Sequence, residues 1–147
     1  MRRLVLLLTA LALAGCGGGG SSGTTLYAGG DWKVVVDGAQ ATAFHRVAGS
    51  WEADTSGAVK IRILGPDGSV TQTPQVAVEL SAKKPLIESG LWVDGQELPV
   101  KGGGLTATKG TIYGAPGAPL TKGTHVAVAY GRTADHATAV SWSFRVV

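Results

Sequence analysis

The stretch VSWSFRV, residues 140–146, alternates apolar and polar side chains with a period of two. Val140, Trp142, Phe144 and Val146 fall on one side, and Ser141, Ser143 and Arg145 on the other. Only an extended backbone separates them this way, because successive side chains of a strand point to opposite faces. The period recurs in VKIRIL, with Val59, Ile61 and Ile63 against Lys60 and Arg62, and in VAVEL, with Val76, Val78 and Leu80 against Ala77 and Glu79. It recurs again in HVAVAY, which aligns Val126, Val128 and Tyr130. No convincing long helical period follows residue 25. Turn signals separate the runs: GPDG at 65–68, VDG at 36–38 and 93–95, KGGG at 101–104 and GAPGAP at 114–119. Short half-buried strands spaced by such turns predict an all-β chain folded as a sandwich or barrel.

Residues 26–58 form an N-terminal β extension in this reading, ahead of a sandwich over 59–147. Trp32, Val34 and Val36 share a face, and the chain is expected to turn back at Asp37 and Gly38. A two-stranded hairpin is marginal alone in water, so this piece is expected to pack as extra strands. The second VDG has flanks that do not match the first, which argues against a duplicated unit.

Four pieces in order give residues 60–147 a family resemblance. ILGPDGSVTQTPQVAVEL reads as a strand, a turn and a second strand; LWVDGQEL as a strand entering a tight turn; LTKGTHVAVAY and SWSFRVV as two later strands. Together they resemble bacterial immunoglobulin-like domains, with their Leu-x-Val-Asp-Gly, Leu-x-x-Gly-x-His-x-Val-x-Val and closing Trp-x-Phe-x-Val stretches. The resemblance implies an immunoglobulin-like β-sandwich. One stretch departs from the family: GRTADHATAVSW lacks the Asp-x-x-Gly-Asn turn before the last strand, so calcium binding by cadherin-like relatives is not carried over.

The N-terminus carries an address. Arg2 and Arg3 precede an apolar run of 11 residues, 4–14, and small residues then lead to Cys16, the only cysteine. A spanning helix needs about 20 apolar residues, so the run is too short to cross a bilayer. Basic start, short apolar stretch and small residues describe a secretory signal peptide. Leu13, Ala14, Gly15 and Cys16 resemble the lipobox of bacterial lipoproteins. That resemblance implies cleavage of residues 1–15, a diacylglycerol on the Cys16 sulfur and usually a further acyl group, which together make attachment to the membrane stable. Residues 16–25 then form the lipidated Cys16 and a flexible Gly/Ser tether. The expected location is the bacterial cell envelope, outside the cytoplasm. With Gly17 rather than Asp after the cysteine, that is the outer membrane of a two-membrane cell, or the outer face of the cell membrane otherwise.

Composition narrows the partners. No second cysteine exists, so no intramolecular disulfide is available. Of 13 basic side chains, loss of Arg2 and Arg3 with the leader leaves 11 against 10 acidic ones. The basic residues are scattered, with Lys83 and Lys84 the only adjacent pair after cleavage. Such a near-neutral body gives no electrostatic case for nucleic acid.

Little in the sequence points to chemistry. His45, His125 and His136 show no i, i+2 or i, i+4 pairing, and the reading assigns no metal ligand and no cofactor. Alternation places His125 opposite Val126 and Val128, outward or at a rim. No G-x-S-x-G turn marks a nucleophile, KGGG lacks the residues of a phosphate loop, and no catalytic residue is assigned. Asp37, Asp67 and Asp94 each precede glycine and are read as turn residues. Of the four tryptophans, Trp142 is expected in the core. Trp92 is out of phase with Leu91 and Val93; exposed, it and Trp51 become the candidate ligand-binding residues, able to stack on a sugar ring or anchor a partner. The expected function is a lipid-anchored, immunoglobulin-like envelope module with a non-catalytic binding or structural role, its partner an envelope protein or glycan. The alternatives are a small-ligand or glycan-binding lipoprotein using exposed tryptophan, and an enzyme or enzyme accessory. An aromatic row beside a groove favours the former, and a cleft uniting His, Asp and Ser the latter.

Overall fold

The computed structural model describes residues 23–102 and 107–147. The leader, Cys16 and residues 17–22 of the expected tether lie outside the described residues, as do Gly103 and Gly104 of the KGGG turn. The described chain is all-β. Its strands are β1 (Thr24–Gly29), β2 (Trp32–Asp37), β3 (Gln40–Val47), β4 (Ser50–Ala53), β5 (Val59–Gly65), β6 (Ser69–Val70), β7 (Val76–Ala82), β8 (Glu88–Val93), β9 (Gln96–Glu97), β10 (Lys101–Gly102), β11 (Lys109–Gly114), β12 (Gly123–Arg132) and β13 (Ala137–Val146). The four alternating runs fall in β5, β7, β12 and β13. β1 starts at Thr24, so the extension begins two residues before its expected start at 26.

Three sheets result: a meander β1-β2-β3-β4, a second sheet in the order β10-β11-β7-β5, and a third in the order β6-β13-β12-β8-β9. Neighbours run antiparallel except the short β6, which pairs parallel with β13. The second and third sheets face each other as a β-sandwich. Val59, Val76, Val78, Leu80 and Ile112 meet Leu91, Val93, Ala127, Ala129, Phe144 and Val146 in one buried cluster. Trp142 packs against this cluster at the rim, half-buried, and its Nε1 donates to the Pro66 carbonyl at 3.1 Å.

The first sheet adds a third layer. Trp32, Val34, Ala41 and Ala43 pack on Trp92, Val128, Tyr130 and Ala137, which lie on the side of the third sheet facing away from the sandwich core. β3 lies over β13. Four polar ties hold this layer: Ser141 Oγ donates to the Ala39 carbonyl, the Tyr27 hydroxyl donates to Glu88, and Asp54 accepts from the Ala137 amide at 2.9 Å and meets His136 Nδ1.

This layer corrects two expectations. Trp92 is not exposed; 2% of it reaches solvent. It does point away from Leu91 and Val93, but the first sheet covers the face onto which it points. The ring lies back over Gly90, where an added Cβ would stand 2.6 Å from the indole, so only glycine fits beneath it. His125 is also not outward: 7% of it reaches solvent, near the start of β12. The small Ala127 and Ala129 side of β12 faces the sandwich core, and His125 shares that side, stacked on Phe144 with ring centroids 5.8 Å apart. The larger Val128 and Tyr130 side faces the first sheet.

Candidate functional site

The expected pair does not come together. Trp92 is sealed between layers, whereas Trp51 sits half-buried on β4, on the solvent side of the first sheet. The inner side of that sheet carries Trp32, Val34, Ala41 and Ala43, so the intervening Lys33, Thr42 and Phe44 face outward. Trp51 pairs across the strands with Arg46. The Lys33 Nζ lies 4.6 Å from the Trp51 ring centroid, and the Arg46 guanidinium 5.3 Å from it. Lys33 belongs to β2, two strand spacings or about 10 Å from β4. The Lys33 ammonium and the Trp51 indole therefore meet over the intervening β3. Lys33 also approaches the Phe44 ring at 5.5 Å, and Arg46 is tethered to Asp31 at 3.2 Å. The result is an outward patch of two rings and two cations. In sequence, Trp51 was legible as a candidate; Lys33, Phe44 and Arg46 were not, because pairing register brings them together.

A second feature is a cleft of about 640 Å³ at one end of the sandwich. Its walls are linker residues 56–58, Lys60 on β5, Ser81 and Ala82 at the end of β7 with Lys83 and Lys84 just after it, and Thr133, Asp135 and His136 of the turn between β12 and β13. Behind it Asp54 is nearly sealed, with 6% of its side chain exposed. Asp54 Oδ1 accepts from the Ser56 hydroxyl at 2.6 Å and the Ser56 amide at 3.0 Å. Asp54 Oδ2 accepts from the Ala137 amide at 2.9 Å and lies 3.2 Å from His136 Nδ1. Burial works to raise the Asp54 pKa, but these hydrogen bonds outweigh it and hold the carboxyl below the usual range. Ser, Asp and His thus share one cleft, as the enzyme alternative requires, but in the wrong order. The carboxylate sits between the hydroxyl and the imidazole, whereas hydrolytic chemistry needs the imidazole beside the hydroxyl to take its proton. This trio fastens the linker to the β12–β13 turn.

Two further polar clusters are structural. Glu88 Oε1 accepts from Tyr130 and from Arg132 Nε, each at 2.9 Å, and its other oxygen accepts from Tyr27. Burial works to raise the Glu88 pKa, and the three donors with the Arg132 charge bring it below the usual range. The Tyr27 hydroxyl is pushed up to about 12 by burial and by Glu88. Arg132 also lies 5.0 Å from the Trp32 ring, which stacks on His45 at 3.9 Å. In the other cluster, Asp94 accepts from the Val126 amide at 3.0 Å and meets His125 Nδ1 at 2.5 Å, while His125 Nε2 lies 2.7 Å from the Thr121 carbonyl. Among the described residues no three His, Cys, Asp or Glu side chains are grouped to hold a metal ion.

No protein-family model matches the chain, and a search of curated proteins finds no match either.

Proposed function

We propose that the chain is a lipid-anchored, immunoglobulin-like module of the bacterial cell envelope that binds another envelope macromolecule without catalysis. The observation that carries this reading is the outer face of the first sheet, where Trp51 is gathered with Lys33, Phe44 and Arg46. Aromatic and arginine side chains are enriched among residues that dominate binding energy. The strand order supports the immunoglobulin-like reading: β5, β7, β11 and β10 take the places of strands A, B, E and D, and β8, β12 and β13 those of C, F and G. The bond between Asp94 and His125 joins two stretches that carry the family resemblance. Anchoring rests on the residues around Cys16, and Cys16→Ala should abolish labelling by a fatty-acid analogue.

A second reading, glycan binding, is favoured by the half-buried Trp51 on this outward face, because a sugar ring stacks on an aromatic ring. A photo-crosslinker at Thr42, on the same face, tests both in intact envelopes. A discrete adduct that disappears with Trp51→Ala supports the binding reading, and its collapse on glycan hydrolysis selects the glycan. Absence of any adduct at Thr42, or an adduct indifferent to Trp51→Ala, overturns the assignment of this face.

A further inference from the structure

The geometry points to the cleft beside the β12–β13 turn as a binding site for a phosphate monoester or diester, a site that shares no residue with the Trp51 face. Three of the 11 basic side chains that follow the leader, Lys60, Lys83 and Lys84, line this one cleft. Sheet register assembles them: Lys60 on β5 lies opposite Ser81 on β7, just before the adjacent Lys83 and Lys84. Lys84 is engaged, its Nζ 2.6 Å from Asp135. The Lys60 and Lys83 ammonium groups make no ion pair or hydrogen bond among the described residues. The three ammonium groups outnumber the two carboxylates near them, Asp135 in the wall and Asp54 behind it, so the cleft keeps a positive balance.

The size and chemistry of the walls narrow the ligand. A volume of about 640 Å³ falls within the range of small-molecule sites, roughly 300–1,000 Å³. Ammonium groups bind phosphate as point charges with rotatable donors, whereas planar carboxylate recognition favours the arginine fork, and no arginine lines this cleft. His136 uses Nδ1 toward Asp54, leaving Nε2 as a further polar group. Ala58, Ala82 and the lysine stems supply apolar surface for the carbon body of a polyol or sugar. The phosphate can belong to a soluble or polymeric phosphoester or to a lipid headgroup.

The experiment titrates the full chain with glycerol phosphate, and separately with phosphatidylglycerol vesicles against phosphatidylcholine vesicles. Insertion by an acylated Cys16 is common to both vesicle types and cancels, so failure of the anchor is distinguishable from failure of this site. The variants are Lys60→Gln, Lys83→Gln and the double substitution, with Lys122→Gln outside the cleft as the control. Lys84 is left intact because it holds Asp135. Saturable, salt-sensitive binding weakened at least tenfold in the double variant, with Lys122→Gln unchanged and all variants folded by near-UV circular dichroism, supports the site. Loss of a phosphatidylglycerol preference in the double variant places the phosphate on a lipid, and loss confined to glycerol phosphate places it on a soluble or polymeric ester. Binding of neither probe, or binding that the double variant retains, overturns it.

Discussion

His125 is held between two acceptors, the Asp94 carboxylate and the Thr121 carbonyl. A neutral imidazole has one N–H and satisfies one of them; the imidazolium satisfies both. The Asp94 bond first, and then the Thr121 bond, raise the His125 pKa above its ordinary value. A group raised on folding contributes stability that is complete below the unfolded pKa, about 6.5, and is lost as pH rises through the folded pKa. The denaturant midpoint of the wild type should therefore fall as pH climbs from 6 to 9. His125→Phe, which keeps a ring against Phe144, should flatten that slope; a flat wild-type profile sinks the argument. The tryptophans make a second case. Trp92 is sealed between layers and Trp142 is half-buried at the rim. Trp92→Ala should cost about 3–5 kcal/mol, the usual range for a large buried aromatic. Trp142→Ala should cost less, and the reverse order in urea denaturation counts against the layered packing.

At the scale of elements, two-residue turns set the hairpin registers. Val47 pairs with Ser50 around Ala48 (φ 52°) and Gly49 (φ 86°), and Val93 pairs with Gln96 around Asp94 (φ 50°) and Gly95 (φ 82°). Positive φ at both positions is the turn whose twist suits a hairpin. Two non-glycine residues thus sit in the left-handed region, yet they should respond oppositely to glycine. Ala48→Gly relieves strain of about 1–2 kcal/mol and adds unfolded-chain freedom of about 0.4–1 kcal/mol, for a net gain of about 0.5–1 kcal/mol. Asp94→Gly relieves similar strain but removes the acceptor for His125 and the Val126 amide, and should destabilise. Melting temperatures of both variants check the contrast; a Tm rise for Asp94→Gly would show that its hydrogen bonds contribute little. Lys60 and Arg62 place charges along β5, the edge of the second sheet, where Ile63 and Leu64 are 41% and 45% exposed. Charge on an edge strand discourages pairing with other chains.

For the whole molecule, the docking of the first sheet is electrostatic as well as apolar. Glu88 and Asp54 tie it to the third sheet, and both carboxyls lie below their usual range because the donors around them outweigh burial. Groups depressed on folding contribute stability that is present above the unfolded pKa, about 4, and is lost as pH falls through the folded value. Acid below pH 4 should therefore loosen the first sheet from the sandwich and expose Trp92 and Trp32. Quenching of tryptophan fluorescence by acrylamide should rise in that window. Glu88→Ala should show the rise at neutral pH, at a cost of about 1.5–3 kcal/mol for hydrogen bonds to a charged group. Unchanged quenching in both cases would remove the polar ties from the account of docking.

What the sequence determined alone follows from local physics. Period two dictates an extended chain whatever surrounds it, so β5, β7, β12 and β13 were legible as strands. Trp32, Val34 and Val36 were legible as one face, and Asp94 and Gly95 as a turn. Periodicity separates two faces without saying what covers either. Trp92 and His125 were misread for that reason: both faces of β8 and β12 are covered, one by the sandwich and one by the first sheet. The Trp51 face and the lysine cleft were decided in tertiary structure. Lys33 reaches Trp51 across an intervening strand, and Lys60 reaches Lys83 and Lys84 through the pairing of β5 with β7. Register between strands is a property of the assembled sheet, so no window of the sequence contains it.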